Sequence, residues 1–224
     1  MPFKDRVDAG RRLAKALAGY KDQQPVVLAL PRGGVPVAGE VASALNAPLD
    51  LILVRKIGVP FQPELAMGAV VDGAAPIIVR NDDVIGLAGI GEAGFKAVCD
   101  AELAEIERRR LRYLGSRERA DVGGRTAIVI DDGVATGATT RAALRATRAR
   151  NPKKLVLAVP VAPTDMLVAL RSDADEVVCL EDHEFFGAIG LYYADFAQVA
   201  DEDVIALLKR FPPRKPADTK VSAA

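Results

Sequence analysis

A short, uniformly apolar segment places the tightest limit on the fold of this chain. Thr126–Ile130 reads Thr-Ala-Ile-Val-Ile, so every residue after the first is apolar. A strand with one solvent-exposed face alternates polar and apolar residues, whereas a uniformly apolar run is typical of a central strand covered on both faces. Asp131 and Asp132 follow directly, then a turn up to Thr136 and a predicted helix over 137–150. The sequence therefore predicts a buried strand that delivers two adjacent carboxylates close to the start of a helix.

Apolar runs of strand length alternate with helical periodicity along the rest of the chain. Strands are predicted over 25–30, 49–54, 126–130, 155–159 and 176–180, and helices over 5–18, 35–45, 93–114, 137–150, 164–171 and 204–209. Runs 66–71 and 75–79 predict a hairpin closed through Asp72-Gly73, and 58–62 and 81–92 are predicted loops. The alternation favours an α/β fold with a mostly parallel central sheet flanked by helices. In such a sheet, ligands bind at the carboxyl ends of the strands.

The overall composition excludes several classes of protein. The chain has 224 residues, which suits one domain, and its 30 basic and 30 acidic side chains cancel. A neutral chain has no global field to attract nucleic acid, so we do not expect nucleic acid as a partner. Cys99, Cys179 and the single histidine His183 are too few for a structural zinc site or a disulfide framework. With no signal-like start and no long apolar span, we expect a cytoplasmic protein without a membrane partner.

The turn after the buried strand has the chemistry of a site for a phosphorylated sugar. A helix start offers unpaired N–H groups and a partial positive charge, which favour a phosphate. Gly137 and Ala138 let the backbone approach a ligand, and hydroxyl donors come from Thr136, Thr139 and Thr140. Two neighbouring carboxylates can accept hydrogen bonds from two neighbouring sugar hydroxyls. The alternative interpretation is that the acids only cap the helix.

The run from Ile128 to Thr139 resembles the signature with which type I phosphoribosyltransferases bind 5-phosphoribosyl-1-pyrophosphate (PRPP). It has apolar residues, two acids, a few variable residues and then Thr-Gly-x-Thr. The resemblance implies that Asp131 and Asp132 hold the ribose 2′- and 3′-hydroxyls. It also implies that the 5′-phosphate is bound by Ala135, Thr136, Gly137, Ala138 and Thr139.

The family resemblance also carries expectations for the rest of the chain. It implies a type I phosphoribosyltransferase fold with a variable hood that covers the acceptor base and an inserted long helix. We expect a single domain over residues 1–211, with the hood drawn mainly from 181–211. Residues 212–224 are rich in proline and charge, and we expect them to form a disordered tail.

Two further loops follow predicted strands. Arg32, Gly33 and Gly34 can bind an anion through a guanidinium and two approachable amides, and in the family this position holds the pyrophosphate. The segment Val54–Pro60 resembles the one that opens the mobile catalytic loop of adenine phosphoribosyltransferases. The resemblance implies that Arg55 and Lys56 supply cations for a leaving pyrophosphate and that residues 55–64 form a loop that opens and shuts. For each segment the alternative is structural: a common turn at 31–34 and solvated cations at 55–56.

The remaining candidate residues lie near the predicted acceptor site. Glu64 is a candidate contact for the base or for a water bound to Mg²⁺, with simple exposure as the alternative. Phe186 and Tyr192 are candidates for stacking on a flat heterocycle, with hood packing as the alternative. We leave His183 out of the catalytic set, because a lone histidine near a strand end is more often a surface or hydrogen-bonded residue.

Two patterns are set aside. Gly89–Gly94 matches GxGxxG, but a dinucleotide site needs a strand immediately before it, and Asn81–Asp83 precede instead. We interpret the match as chance. The arginines of 108–112, Arg117 and Arg119 could contact RNA. Glu105, Glu107 and Glu118 are interspersed with this cluster, which indicates a solvated helix face instead.

The resemblance implies an enzyme that transfers a phosphoribosyl group from PRPP to a nitrogenous base or related acceptor. Mg²⁺ is the expected cofactor, held mainly by PRPP and water rather than by a protein cage. A homodimer is the expected assembly. The chain also resembles bacterial phosphoribosyltransferase-domain proteins whose acceptor is unsettled. Two alternatives remain: a PRPP- or nucleotide-sensing regulator without turnover, and a phosphoribosyl hydrolase or phosphatase-like enzyme.

Overall fold

The computed structural model describes residues 2–73 and 76–212. The strands are β1 (Val26–Ala29), β2 (Leu49–Leu51), β3 (Val54–Val59), β4 (Gln62–Val71), β5 (Ile77–Arg80), β6 (Thr126–Ile130), β7 (Lys154–Pro163) and β8 (Glu176–His183). The helices are α1 (Arg6–Ala16), α2 (Gly34–Leu45), α3 (Asp82–Leu87), α4 (Glu92–Tyr113), α5 (Ala138–Arg148), α6 (Thr164–Leu170) and α7 (Asp201–Lys209). Two 3₁₀ helices cover Ala18–Gln23 and Ile189–Tyr192.

The main sheet has five strands in the order β2-β1-β6-β7-β8, and every neighbouring pair is parallel. β6 lies at its centre, and all of its residues are buried. The predicted strand over 126–130 therefore matches the structure residue for residue. The predicted α/β class with a mostly parallel sheet flanked by helices is confirmed.

The two faces of the sheet are covered by different helices. Val27 and Ala29 of β1 and Ile128 and Ile130 of β6 pack with α1, α2, α4 and α7. The alternate residues of the same two strands pack on the other side with α5 and α6. Burial on both sides explains why β6 must be apolar at successive positions, since neither face of a central strand meets water.

The strand order reverses between β1 and β6. The chain runs from β1 outward to β2, then returns to β6 on the other side of β1 and continues to β7 and β8. Loops that leave neighbouring strands in opposite directions open a crevice at the carboxyl ends, which is the usual ligand position in sheets of this kind. The segments after β1 and β6, residues 30–33 and 131–137, lie at this crevice.

A second, smaller sheet corrects the prediction for residues 55–64. The order β3-β4-β5 is antiparallel throughout, and the sheet packs against α4 and α5. The predicted loop over 55–64 is instead most of a β-hairpin, with its turn at Pro60-Phe61. Glycine and proline suggested a loop, but here they fall at an irregular register near Gly58 and at the turn. The β4–β5 hairpin was predicted, although its loop residues 74–75 lie outside the described residues.

Other predicted boundaries also change. The single strand predicted over 49–54 is two strands, interrupted at Ile52-Leu53, and the predicted loop over 81–92 contains α3. Since α3 separates β5 from Gly89–Gly94, that glycine pattern has no strand directly before it. The predicted tail lies outside the described residues after Pro212. Among the described helices, none is long and apolar enough to cross a membrane.

Candidate functional site

Two carboxylates occupy the crevice at the end of β6. Ala29 of β1 pairs with Ile130, and the Leu30 amide donates to the Ile130 carbonyl over 2.9 Å, so the loop after β1 is held beside the acids. Asp132 is 8% exposed and Asp131 is partly buried. The Asp132 amide donates to Asp131 Oδ1 over 2.9 Å, which fixes the first carboxylate against the backbone. The predicted acid pair is therefore brought to the switch point of the sheet.

The electrostatics of this acid pair are unusual. Removal from water raises the pKa of Asp131 well above its usual range, and the negative charge of Asp132 raises it further. The Asp132 amide and the Arg6 guanidinium act in the opposite direction and lower it. Burial also raises the pKa of the neighbouring Tyr193 hydroxyl, as does the charge of Asp132. The site is thus a desolvated region in which added positive charge or hydrogen-bond donors are strongly favoured.

The turn after the acids leads into an open helix start. Gly137 is the N-cap of α5 and makes no side-chain capping bond, so the first N–H groups of the helix receive no side-chain acceptor. Ala135, Thr136, Ala138 and Thr139 are exposed. Gly137 has φ +71° and lies against Met166, so a side chain there is disfavoured both by the backbone and by this contact. An anion can therefore reach the uncapped end of α5.

The loop after β1 packs directly on the acid pair. A Cβ atom on Gly33 would overlap the Asp132 carboxylate, and one on Gly34 would press on the Ile130 carbonyl and on Asp131. Only glycine allows this approach of backbone to carboxylate. The peptide between Pro31 and Arg32 is cis. Gly33 and Gly34 are thus required by the packing itself, and they lie beside Asp132 and Asp131.

Arg32 is anchored from a distant part of the chain. Its Nη1 lies 3.4 Å from Asp201 Oδ1 at the start of α7. The Tyr113 hydroxyl donates to the same oxygen over 2.5 Å, and Arg112 Nη1 lies 3.0 Å from Asp201 Oδ2. Burial and the hydrogen bond to Asp201 raise the pKa of Tyr113 to about 12, so the hydroxyl keeps its proton. The long helix α4 therefore fixes, through Tyr113 and Asp201, one edge of the Arg32 guanidinium.

The cations of the β3–β4 hairpin are paired with acids. Arg55 Nε donates to Glu102 Oε2 over 2.6 Å, and Lys56 Nζ lies 3.0 Å from Glu64 Oε2. Both pairs line a cavity of about 350 Å³ between the hairpin and α4. Glu64 is almost fully exposed, with 95% of its side chain accessible. The structure brings Arg55, Lys56 and Glu64 together, in a second sheet apart from the main-sheet crevice.

The aromatic residues of segment 183–196 contact one another. Phe186 stacks on Tyr192 with ring centroids 4.8 Å apart, and His183 lies 4.5 Å from Tyr192. Phe186 and Tyr192 border a small apolar cluster built on Phe3 and Tyr193. Both rings are half-buried. Their positions fit the packing alternative, and each keeps an exposed part.

Sequence reasoning missed two residues that contact Asp132. Arg6 Nε donates to Asp132 Oδ2 over 2.7 Å, and the Tyr193 hydroxyl donates to the Asp132 carbonyl over 2.6 Å. Arg6 is 126 positions from Asp132, so no local pattern links them. Tyr193 stood in the aromatic run but was indistinguishable from its neighbours. Asp201 and Tyr113 were missed for the same reason.

Comparisons with known proteins bear on this geometry. The family model described as phosphoribosyl transferase domain matches residues 3–196. Proteins from two strains of Mycobacterium tuberculosis, each provisionally named a phosphoribosyl transferase, are 49% identical over 208 residues, which is 93% of this chain and 46% of each relative. This chain therefore spans about half the length of these curated relatives.

A solved structure extends the match to three dimensions. The protein TT1426 from Thermus thermophilus is 42% identical, with a TM-score of 0.82 over 95% of this chain and 100% of that one. The family model covers the strands and helices that build the crevice, from α1 to the 3₁₀ helix Ile189–Tyr192. The chain belongs to the phosphoribosyl transferase domain family.

Proposed function

We propose that the chain catalyses transfer of a phosphoribosyl group from PRPP to a nitrogenous base or related acceptor, with release of pyrophosphate. One observation carries the proposal. The carboxylates of Asp131 and Asp132 and the uncapped start of α5 flank the same crevice at the reversal of strand order. Acceptors for sugar hydroxyls and donors for a phosphate are thus separated only by the short turn 133–137.

Each part of the site has a role in this proposal. The carboxylates of Asp131 and Asp132 accept hydrogen bonds from the ribose 2′- and 3′-hydroxyls. Their negative charge stabilises the positive charge that develops at C1. Residues 135–139 hold the 5′-phosphate at the start of α5, where amides and helix dipole favour an anion. Arg32, Gly33 and Gly34 bind the pyrophosphate. The protein mainly positions the reactants and stabilises charge, so no side-chain nucleophile is needed.

Arg55 and Lys56 of the β3–β4 hairpin can take part only if they leave their present partners. Arg55 and Lys56 now pair with Glu102 and Glu64. For either cation to reach a leaving pyrophosphate, it must exchange a carboxylate for a phosphate oxygen. A phosphate is a strong partner for both groups, and closure of the hairpin would also exclude water from the sugar cation.

The donor atoms of the site are suited to Mg²⁺. Asp131 and Asp132 offer carboxylate oxygens, the ligand type that Mg²⁺ prefers. Among residues 2–73 and 76–212, no group of three or more His, Cys, Asp or Glu side chains is placed to hold a metal ion. An ion held by PRPP and water would supply charge neutralisation at the pyrophosphate. Asp131 and Asp132 would orient the sugar beside it.

The test is turnover with a panel of acceptors. Purified protein is mixed with PRPP, Mg²⁺ and individual purine, pyrimidine and other nitrogen heterocycles, and pyrophosphate release is measured. Release that depends on one acceptor supports the transferase. PRPP loss without any acceptor would indicate a hydrolase instead. Tight PRPP binding without turnover across the panel would count against the enzyme.

One observation favours the alternative of a PRPP- or nucleotide-sensing regulator. Arg32, Arg55 and Lys56 all have acidic partners within the chain. A sensor needs the sugar and phosphate contacts but not cations released for a leaving group. The panel distinguishes the two, because only the transferase couples pyrophosphate release to an acceptor. The homodimer and the cytoplasmic location stay predictions, to be tested by light scattering and by cell fractionation.

A further inference from the structure

Arg6 links the acid pair to the segment around Phe196 and Ala197. Its Nε donates to Asp132 Oδ2 over 2.7 Å, and its Nη1 donates to the Ala197 carbonyl over 2.7 Å. The guanidinium carbon lies 3.8 Å from the centroid of the Phe196 ring. Only 12% of the Arg6 side chain and 11% of the Asp132 side chain are exposed. This is a buried, oriented ion pair, quite unlike the exposed pairs on the surface of α4.

The ion pair uses one oxygen of the Asp132 carboxylate and leaves the other. Among residues 2–73 and 76–212, no N–H group donates to Asp132 Oδ1, whereas Arg6 Nε donates to Oδ2. Gly33 lies against the same carboxylate and blocks its rotation on that side. Arg6 and Gly33 together hold the Asp132 carboxylate in one orientation. Oδ1 is then the oxygen left to accept a hydrogen bond from a ligand.

Arg6 also belongs to a strap across the acid pair, formed by residues 3–6 and 192–197. The Phe3 amide donates to the Tyr192 carbonyl over 2.8 Å, and the Ala194 amide donates to the Phe3 carbonyl over 2.7 Å. The Tyr193 hydroxyl donates to the Asp132 carbonyl over 2.6 Å. Arg6 adds the side-chain link between Asp132 and Ala197. The segment expected to form part of the hood is therefore fastened to the acid that is expected to bind the sugar.

We propose that Arg6 is a positioning residue of the sugar site, which presents Asp132 Oδ1 to a ribose hydroxyl and holds the strap in register with it. The inference rests on the proposed binding of PRPP. Without Arg6, a buried carboxylate would lose its counter-ion, which is strongly unfavourable. The Asp132 carboxylate would then be free to turn toward water, and the ribose hydroxyl would lose its acceptor.

The experiment compares Arg6→Gln and Arg6→Lys with Arg11→Gln. Arg11 lies on the same helix, but it is 69% exposed and pairs with Glu40 at the surface. PRPP affinity is measured by calorimetry with Mg²⁺, and folding is checked by the unfolding midpoint. We expect Arg6→Gln to weaken PRPP binding by about 30-fold. Arg11→Gln is expected to match the unmodified protein.

Arg6→Lys keeps the test decisive if Arg6→Gln does not fold. Lysine retains the charge but cannot hold both Asp132 and Ala197 with a planar fork. We expect PRPP binding by Arg6→Lys to be weaker than that of the unmodified protein and tighter than that of Arg6→Gln, because the charge beside Asp132 is kept. Unchanged affinity in a folded Arg6 variant would overturn the role of Arg6. If the unmodified protein and Arg11→Gln both fail to bind PRPP, the proposed function itself is wrong, and the role of Arg6 falls with it.

Discussion

The acid tip after β6 and the cationic hairpin β3–β4 were both predicted from charged pairs that follow strands, and the structure treats them differently. Asp131 and Asp132 extend from a buried central strand, held by a backbone amide and by Arg6. Arg55 and Lys56 lie on a small separate sheet, about one third exposed, and pair with Glu102 and Glu64. The end of a buried strand fixes the positions of its side chains. Long side chains on a peripheral hairpin can instead adopt conformations that pair with different partners.

The largest effect is expected at the acid tip. Replacing Asp131 and Asp132 together by asparagine should weaken PRPP binding by about 100-fold or more, since two charged acceptors for hydroxyls become neutral. Calorimetry with Mg²⁺ measures the change. Asp82→Asn with Asp83→Asn is a matched control, because these adjacent acids are exposed at the start of α3. Equal affinity in the acid-tip variant and this control would remove the basis of the proposed function.

A smaller effect is expected at the start of α5. Gly137→Ala places a side chain at φ +71° and against Met166, so the turn must shift. Its N–H groups then no longer point toward the phosphate. We expect about 10-fold weaker binding of PRPP and of ribose 5-phosphate, similar to the loss of one charge-assisted hydrogen bond. Gly89→Ala is the control, since Gly89 has φ +65° with nothing within 4 Å. If both variants bind alike, the turn after β6 is not a phosphate site.

The anchor of Arg32 should matter less. Tyr113→Phe removes the hydroxyl that donates to Asp201 over 2.5 Å while keeping the buried ring. Arg112 still holds Asp201, so Arg32 loses only part of its support. We expect about threefold weaker binding of pyrophosphate, as for a weakened neutral hydrogen bond. Inhibition by pyrophosphate measures this, and a full loss of binding would mean that α4 contributes more than an anchor.

The smallest effect is expected in the hairpin. Glu64 is 95% exposed, and Lys56 also contacts its backbone carbonyl over 3.3 Å, which a side-chain change leaves in place. Exposed ion pairs contribute little to stability. Glu64→Gln should therefore change PRPP affinity less than about twofold and leave the unfolding midpoint unchanged. A change in turnover above about fivefold would break the contrast between the two regions and give Glu64 a direct role at the site.

The accuracy of the predictions follows the locality of the interactions. The strand over 126–130 was predicted without error, because burial on both faces dictates each residue of a central strand. The hairpin over 55–64 was predicted as a loop, because glycine and proline are common to loops and to irregular hairpins. The antiparallel pairing of β3 with β4 needs long-range packing against α4 and α5, which no local pattern records.

The candidate site divides in the same way. Asp131, Asp132 and residues 135–139 are contiguous, and the loop at 32–34 reaches them because parallel neighbours β1 and β6 end at the same edge. Three further residues reach the site from the two ends of the chain: Arg6, Tyr193 and Asp201. No local sequence pattern identifies any of them as a site residue.

The amino-acid sequence by itself determined the buried strand, the acid pair that it carries and the glycine-opened helix start beyond it. These features are local, since backbone period and residue type decide them within a few positions. Only the tertiary structure decided that Arg6 neutralises Asp132 and that Tyr113 and Asp201 anchor Arg32. Ion pairs form where folding brings opposite charges close together in a region of low dielectric constant. Which charged groups come close depends on how the helices pack around the sheet.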